Sequence, residues 1–271
     1  MLTVKVSIIF STYNSTDWLE KVIWGFYFQS FKDFEIVIAD DGSTEETENT
    51  IDRLRKKTLL EIKHVWQPDE GFQKCKILNK AILATTGDYI IFTDGDCIPR
   101  YDFVQAHVDN AKPCHLLSGG YFKLPMKTSQ AITKKDIEIG NAFNPNWLLN
   151  NGLKKSHKIA KLTAQGWKQR LYNALTPTKA TWNGHNASTW KSLLLEVNGF
   201  DERMQYGGED RELGERLINL NVSPIQIRYS AICLHLDHAR GYVSEEGIKK
   251  NKHIRKITKE QKITRTSYGI A

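Results

Sequence analysis

No stretch of the 271-residue sequence is long and apolar enough to cross a bilayer. The longest apolar runs, Val6–Phe10 without Ser7 and Tyr89–Phe92, fall far short of the roughly 20 residues a spanning helix needs, which excludes a polytopic membrane protein. Cysteine is scarce. Cys75, Cys97, Cys114 and Cys233 are widely separated and form no Cys-x-x-Cys, so a disulfide scaffold or zinc framework fits less well than reduced, mostly buried thiols. The opening residues, MLTVKVSIIF, lack the charged start, longer apolar core and small-residue cleavage site of a leader, and the expected compartment is the cytoplasm. Repeats, low-complexity tracts and Pro/Ser linkers are missing too. One domain is therefore expected over residues 1–240 (in halves 1–98 and 99–240), followed by a basic extension over 241–271.

Acidic residues are absent from 139–195, where Lys154, Lys155, Lys158, Lys161, Lys168, Arg170, Lys179 and Lys191 stand alone. A second basic run, Lys249–Arg265, holds eight Lys/Arg against the single acid Glu260. With 38 Lys+Arg against 31 Asp+Glu the chain carries +7, and such stretches hold anionic lipid or nucleic acid when they are not simply solvated faces.

What is present in the first hundred residues is alternation between strand and helix patterns. Val4–Phe10 reads as a buried strand and Asp17–Phe28 as a helix with Glu20 as capping partner. Glu35–Ala39 is the next strand, and Ser43 with Glu46 forms a capping box that opens a helix to about Lys57. Glu61–Trp66 and Gln73–Ala84 repeat the pair. Tyr89–Thr93 then follows the turn Thr86-Gly87-Asp88 as an unbroken apolar run suited to a central parallel strand. This order predicts an α/β fold, a mostly parallel Rossmann-like sheet with helices on both faces. Beyond Pro99 the pattern loosens. Ser188–Val197 reads as a short helix, Gly208–Leu220 as a helix with Leu213, Leu217 and Leu220 on one face, and Ile225–Ile227 and Ala231–Leu234 as strands. The tail after Gly247 is expected to be helical in part and to fray.

In parallel sheets ligands bind beyond the strands' carboxyl ends. Three expected strands end there in polar groups: Ser11-Thr12-Tyr13-Asn14, Asp40-Asp41 and Asp94-Gly95-Asp96. Two carboxylates separated by glycine can face one divalent cation of the Mg²⁺ or Mn²⁺ kind, which also binds a diphosphate. Asp40-Asp41-Gly42-Ser43 is a turn with a helix cap, but a carboxylate at a buried strand end needs a partner, such as a base imide or a ribose hydroxyl. Gly207-Gly208-Glu209-Asp210 serves equally as a favourable helix start or as a loop that delivers a general base. His235-Leu236-Asp237-His238 offers two imidazoles that are either structural or able to complete a metal shell beside Asp96.

In that order and spacing, Ser7-Ile-Ile-Phe-Ser-Thr-Tyr-Asn14, Asp40–Ser43, Gly71-Phe-Gln-Lys-Cys-Lys-Ile-Leu-Asn-Lys-Ala81 and Gly87–Pro99 resemble the family 2 glycosyltransferases of GT-A fold. Asn198-Gly-Phe-Asp-Glu202 and Tyr206-Gly-Gly-Glu-Asp210 look like the C-terminal half of the β-1,4-galactosyltransferase and chondroitin-polymerase type. The resemblance covers roughly residues 4–240 and implies that this is a catalytic domain whose half 1–98 binds the nucleotide and whose half 99–240 binds the acceptor. It implies an inverting, metal-dependent transfer of a hexose or N-acetylhexosamine from a UDP-sugar to a glycan or lipid-linked glycan, as in assembly of a bacterial surface polysaccharide or lipooligosaccharide. It implies nucleotide contacts from Thr12, Tyr13, Asp40, Phe72, Lys74, Asn79 and Asp94. Mn²⁺ (or Mg²⁺) would be held by Asp96 with His235 or His238, the acceptor by Glu209 and Tyr206, and Asp210 would be the catalytic base. Asn186, with His185, would line the acceptor or donor sugar.

The tryptophans of the acid-free region (147, 167, 182 and 190) fit core-facing positions on basic helices; interleaved with lysine they also suit the headgroup layer of an anionic membrane. Peripheral contact with the inner face of the cytoplasmic membrane through 150–170 and 249–265 is accordingly expected. A nucleotidyltransferase would carry a Gly-rich phosphate loop with a basic residue where Ser11-Thr-Tyr-Asn14 stands. A non-catalytic nucleic-acid-binding protein matches the pI of 9.1, but helix-turn-helix, zinc-finger and aromatic RNP patterns are missing.

Overall fold

The computed structural model describes residues 4–239 and 243–271. Its strands are β1 (Val6–Thr12), β2 (Phe34–Asp40), β3 (Ile62–Trp66), β4 (Tyr89–Asp94), β5 (Cys97–Pro99), β6 (His115–Ser118), β7 (Gly120–Lys123), β8 (Asn186–Trp190), β9 (Ser223–Gln226) and β10 (Ile232–His235). The helices in the first half are α1 (Thr16–Tyr27), α2 (Glu45–Thr58), α3 (Lys74–Ala84), α4 (Phe103–Asn110), α5 (Met126–Ala131) and α6 (Lys134–Glu138). Then come α7 (Pro145–Asn150), α8 (Ala160–Thr163), α9 (Gly166–Leu175), α10 (Lys191–Glu196), α11 (Glu209–Asn219) and α12 (Glu245–Glu260).

Seven strands form the main sheet in the order β3-β2-β1-β4-β8-β6-β9. All are parallel except β8, which runs antiparallel to both of its neighbours. Alternation along each central strand sends side chains to two cores. Val6, Ile8 and Phe10 meet α1 and α2 on one face, while Ile9, Val37, Ile90 and Phe92 meet α3, α10 and α11 on the other. The expected α/β architecture with helices on both faces is what the chain adopts.

Local expectations fare unevenly. Ser188–Trp190 belongs to strand β8, not to a helix; the helix begins only at Lys191. Small side chains (Ala187, Ser188, Thr189) let this strand lie fully buried between β4 and β6, a requirement set by the sheet rather than by local propensity. Neither proposed cap forms. Ser43 Oγ accepts from Asn14 N at 2.9 Å, tying two loops together, and Glu20 accepts from Trp24 Nε1 and Arg53 instead of closing its own helix start. The tail does not fray. Asn198 bonds Thr266 O and Ala271, and Thr266 Oγ1 donates to Asp201 at 2.8 Å.

A small second sheet, β5-β10-β7, decides the site. Strand β10 pairs antiparallel with β5, placing His235 opposite Cys97, and Leu236 N continues the ladder by donating to Asp96 O at 2.9 Å. Residues far apart in sequence thus meet where β4 ends.

Candidate active site

A cleft of about 1020 Å³ opens at the carboxyl ends of β1 and β4. One wall comes from the strand ends: Thr12, Tyr13 and the Asp94–Asp96 turn. Another comes from the segment before α3, with Phe72 and Lys74, and a third from the start of α11, with Tyr206, Glu209 and Asp210. His235 and His238 close the fourth side. The chain can approach itself this closely partly because of Gly95. A Cβ there would stand 2.7 Å from Ser11 O, the carbonyl that accepts from Gly95 N at 2.9 Å.

Asp96 Oδ2 lies 3.0 Å from His238 Nε2 and 3.8 Å from His235 Nε2. The two rings stack with centroids 5.5 Å apart. Each Nδ1 sits 2.8 Å from a main-chain carbonyl oxygen, of Leu236 and of Ala239, and so must carry the proton that it donates. With Nδ1 donating, each Nε2 faces the carboxylate, where a second proton or a bound cation would bridge the two. The ligand atoms of all three residues fall within 4.8 Å of one another. One oxygen and two imidazole nitrogens fit a transition cation such as Mn²⁺ better than Mg²⁺, which prefers oxygen.

Asp94 is engaged differently. Its Oδ1 accepts from Lys74 Nζ at 2.8 Å. Burial opposes its charge, but the lysine outweighs burial and holds the carboxyl below its usual value. Lys74 is raised in turn: burial opposes its charge too, but Asp94, Asp210 and Glu209 together stabilise it. Burial, then Glu209, push Asp210 up to about 7, against the pull of Lys74. Asp210 Oδ1 is buried without a hydrogen-bond partner among the described residues. Gly184 leaves room for this carboxylate, since a Cβ there would lie 2.6 Å from Oδ2. Glu209 Oε2 accepts from Gly207 N at 2.8 Å and so stiffens its own loop, in which Gly207 and Gly208 both hold positive φ. Phe72 and Tyr206 meet edge to face across the cleft, at 6.1 Å.

Three of the expected site residues lie elsewhere. Asp40 is fully buried and has spent both oxygens, accepting from Ser43 N at 2.8 Å and bonding His64 Nε2 at 2.9 Å. Its neighbour Asp41 lines the cleft instead, oriented by Gln67 Nε2 and Gln73 N. Asn79 is a brace between α3 and the segment around Phe200: its amide donates to Phe200 O and Glu202 and accepts from Phe200 N. Asn186 ties strands together through Gly120 O, Ala231 O and His107. The neighbouring His185 does reach the cleft, kept neutral by burial with its pKa lowered to about 4, its ring 4.4 Å from Tyr121. Tyr121, Trp18 and Asp69 line the cleft with no sequence signal pointing to them; Asp69 accepts from Tyr13 OH at 2.8 Å.

The family described as Glycosyl transferase family 2 matches residues 7–185. Over 224 residues the chain is 30% identical to the chondroitin synthase of Escherichia coli, covering 78% of this chain and 32% of that protein. It is 26% identical over 218 residues to the GalNAc(5)-diNAcBac-PP-undecaprenol beta-1,3-glucosyltransferase of Campylobacter jejuni, covering 76% and 57%. The chain thus spans about a third of the first relative and little more than half of the second. Among solved structures, GalNAc-T7 with UDP, GalNAc and Mn²⁺ superposes with a TM-score of 0.62 at 12% identity, covering 94% of this chain and 48% of that one, a likeness of fold. The strand-end cleft, the Asp94-Gly95-Asp96 turn and the matched segment converge on one conclusion: this chain belongs to glycosyl transferase family 2.

Proposed function

We propose that the chain is an inverting, metal-dependent transferase that moves a hexose or N-acetylhexosamine from a UDP-sugar to a hydroxyl of a glycan or lipid-linked glycan. The proposal extends to assembly of a bacterial surface polysaccharide or lipooligosaccharide at the inner face of the cytoplasmic membrane. The observation that carries it is the presence, in one cleft, of an oxygen–nitrogen–nitrogen ligand set (Asp96, His235, His238) and of a separate carboxyl, Asp210, raised to about 7. The relatives act on polymeric and undecaprenol-linked substrates by name, and the structural neighbour binds UDP with Mn²⁺.

In this reading Thr12, Tyr13 and Asp41 receive the nucleoside at the ends of β1 and β2, with Phe72 beside it. Lys74 keeps Asp94 ionised toward the ribose. Asp96, His235 and His238 would hold a divalent cation, which would supply charge neutralisation to the departing diphosphate. Asp210 takes the proton as the acceptor oxygen bonds to the anomeric carbon and the carbon–oxygen bond to the diphosphate breaks. One displacement inverts the centre, and Glu209 with Tyr206 positions the acceptor. Calorimetry with UDP, with and without Mn²⁺, tests the assignment on wild type and Asp96→Ala. Metal-dependent binding that the substitution weakens about tenfold or more is expected, as for loss of one metal ligand. No UDP binding under either condition would sink the donor assignment.

A further inference from the structure

Helix α9 has none of its ten residues buried. Its sequence, Gly-Trp-Lys-Gln-Arg-Leu-Tyr-Asn-Ala-Leu, places Gln169 and Asn173 on one face and Trp167, Leu171 and Leu175 on the opposite one. The first face is seated: Asn173 Nδ2 donates to Ser230 Oγ at 2.7 Å, and its Oδ1 accepts from Tyr229 N at 2.9 Å. The second stands in solvent, with Trp167 and Leu175 each 70% exposed and Leu171 42%. Spaced at i, i+4 and i+8, these three form one apolar ridge.

The ridge is flanked in sequence by positive charge without acidic partners. Lys154, Lys155, Lys158, Lys168, Arg170 and Lys179 are exposed, and none pairs with an acid among the described residues. The whole interval 139–195 contains no acid at all. Lys161 is held down to about 8, first by burial and then by Arg228 and Lys158. The other basic run is different. In α12, Arg255 and Lys259 both pair with Glu215.

Placement adds a third observation. The loop that seats α9 follows edge strand β9, which runs parallel to β6. β6 is antiparallel to β8, and β8 to β4, so β9 and β4 end at the same side of the sheet. The ridge therefore lies at the end of the sheet that carries the cleft, across from the β1–β3 edge.

We propose that α9 is a membrane-docking helix: Trp167, Leu171 and Leu175 enter the interfacial layer of an anionic bilayer while the flanking lysines and Arg170 engage lipid phosphates. An apolar ridge with cationic flanking sequence is complementary to that surface and poorly matched to a second copy of this net-positive chain. Only the advantage of docking there, bringing the cleft to a lipid-linked acceptor, rests on the proposed function.

The test is co-sedimentation of the full chain with vesicles of phosphatidylglycerol and phosphatidylcholine, against phosphatidylcholine alone, at low and high salt. The triple variant Trp167→Ser, Leu171→Ser, Leu175→Ser is compared with wild type and with Lys155→Gln, Lys158→Gln. Wild type is expected to bind the anionic vesicles at low salt, the triple variant roughly tenfold or more weakly. The lysine pair is expected to bind more weakly and to lose its binding at lower salt. UDP binding of the triple variant is expected to match wild type, showing that the fold and donor site survive. Wild type that ignores anionic vesicles, or a triple variant that binds them equally, overturns the proposal. A dimer in light scattering that the triple variant abolishes would reassign the ridge to a second copy. Vesicle binding is read without donor, metal or turnover, so failure of the UDP assignment leaves this result interpretable.

Discussion

At the scale of single residues, Asp210 carries two opposed requirements. As the proposed base it must be ionised, yet burial and Glu209 raise its carboxyl to about 7. The acidic limb of kcat/KM is therefore expected near pH 7, with a plateau above it, and Asp210→Asn is expected to lower kcat by about 10²–10⁴. The same shift has a stability side. Folded protein holds this proton more tightly than unfolded chain, so the stabilisation is present below the unfolded value near 3.8 and disappears as pH rises through about 7. Metal-free Asp210→Asn is accordingly expected to be more stable than wild type at about pH 8, by about 1–3 kcal/mol and with a higher melting temperature, and to melt at a similar temperature near pH 4. Thermal scans at the two pH values check this; equal melting temperatures at pH 8 would show the carboxylate to be well solvated. Legibility at this scale follows geometry. The strand-end turn Asp94–Asp96 and the start of α11 stand out because clustered carboxylates interrupt an otherwise apolar pattern at the end of a buried strand and the start of a helix. Asp40 and Asp41 are adjacent and chemically identical; only the direction of the last strand residue decides which one faces the cleft. Asn79 and Asn186 read as site residues because a buried asparagine's partners are main-chain atoms far away in sequence. For His235 and His238 the pairing of β10 with β5 brings both beside Asp96, which no local pattern reveals.

Among elements, α12 reaches into the site without contributing a lining residue. Asn251, fully buried on this helix, donates through Nδ2 to Gln205 O at 2.8 Å and lies 3.3 Å from both Tyr206 O and Gly207 O. It is the clamp on a loop whose two glycines would otherwise leave Tyr206 and Glu209 poorly placed. Asn251→Ala is expected to raise the acceptor KM and lower kcat, together by about tenfold or more, since small misplacements of positioning groups are costly. UDP affinity, which the proposed function places at the ends of β1 and β2, is expected to stay unchanged. Equal loss of donor and acceptor binding would instead indicate general unfolding of that region. The β-α alternation up to β4 is readable because the central strands β1, β2 and β4 are mostly apolar and buried and each helix has one apolar face. β8 is misread because its small polar residues acquire strand geometry only from the neighbours on both sides.

For the molecule as a whole, the extension behaves as part of the core, not as an appendage. Ile254 is nearly buried in the same cluster as Trp182, Phe200 and Leu213, and Ile270 packs against it. Burying one isoleucine contributes about 1.5–3 kcal/mol, and each native hydrogen bond about 1 kcal/mol. Asn198 alone bonds Thr266 O, Ala271 O and Ala271 N. The buried pair Arg216–Glu212 is completed by Thr258 Oγ1, which donates to Glu212 at 2.9 Å. Removing residues 240–271 takes all of these together and leaves part of a carboxylate's hydrogen bonding unmet in the core, where an uncompensated charge is expensive. The summed loss is comparable with the 5–15 kcal/mol that holds a typical domain. A chain ending at residue 239 is therefore expected to be unfolded or molten at room temperature, and the full chain to unfold in a single calorimetric transition. If the shortened chain instead folds, binds UDP and melts cooperatively, the extension is a separable module. The boundary near residue 240 suggested by charge alone would then be a real one. The opposite outcome follows from packing: a basic, polar sequence is compatible with an exposed tail until its few apolar residues and one threonine are seen to fill positions that nothing else occupies.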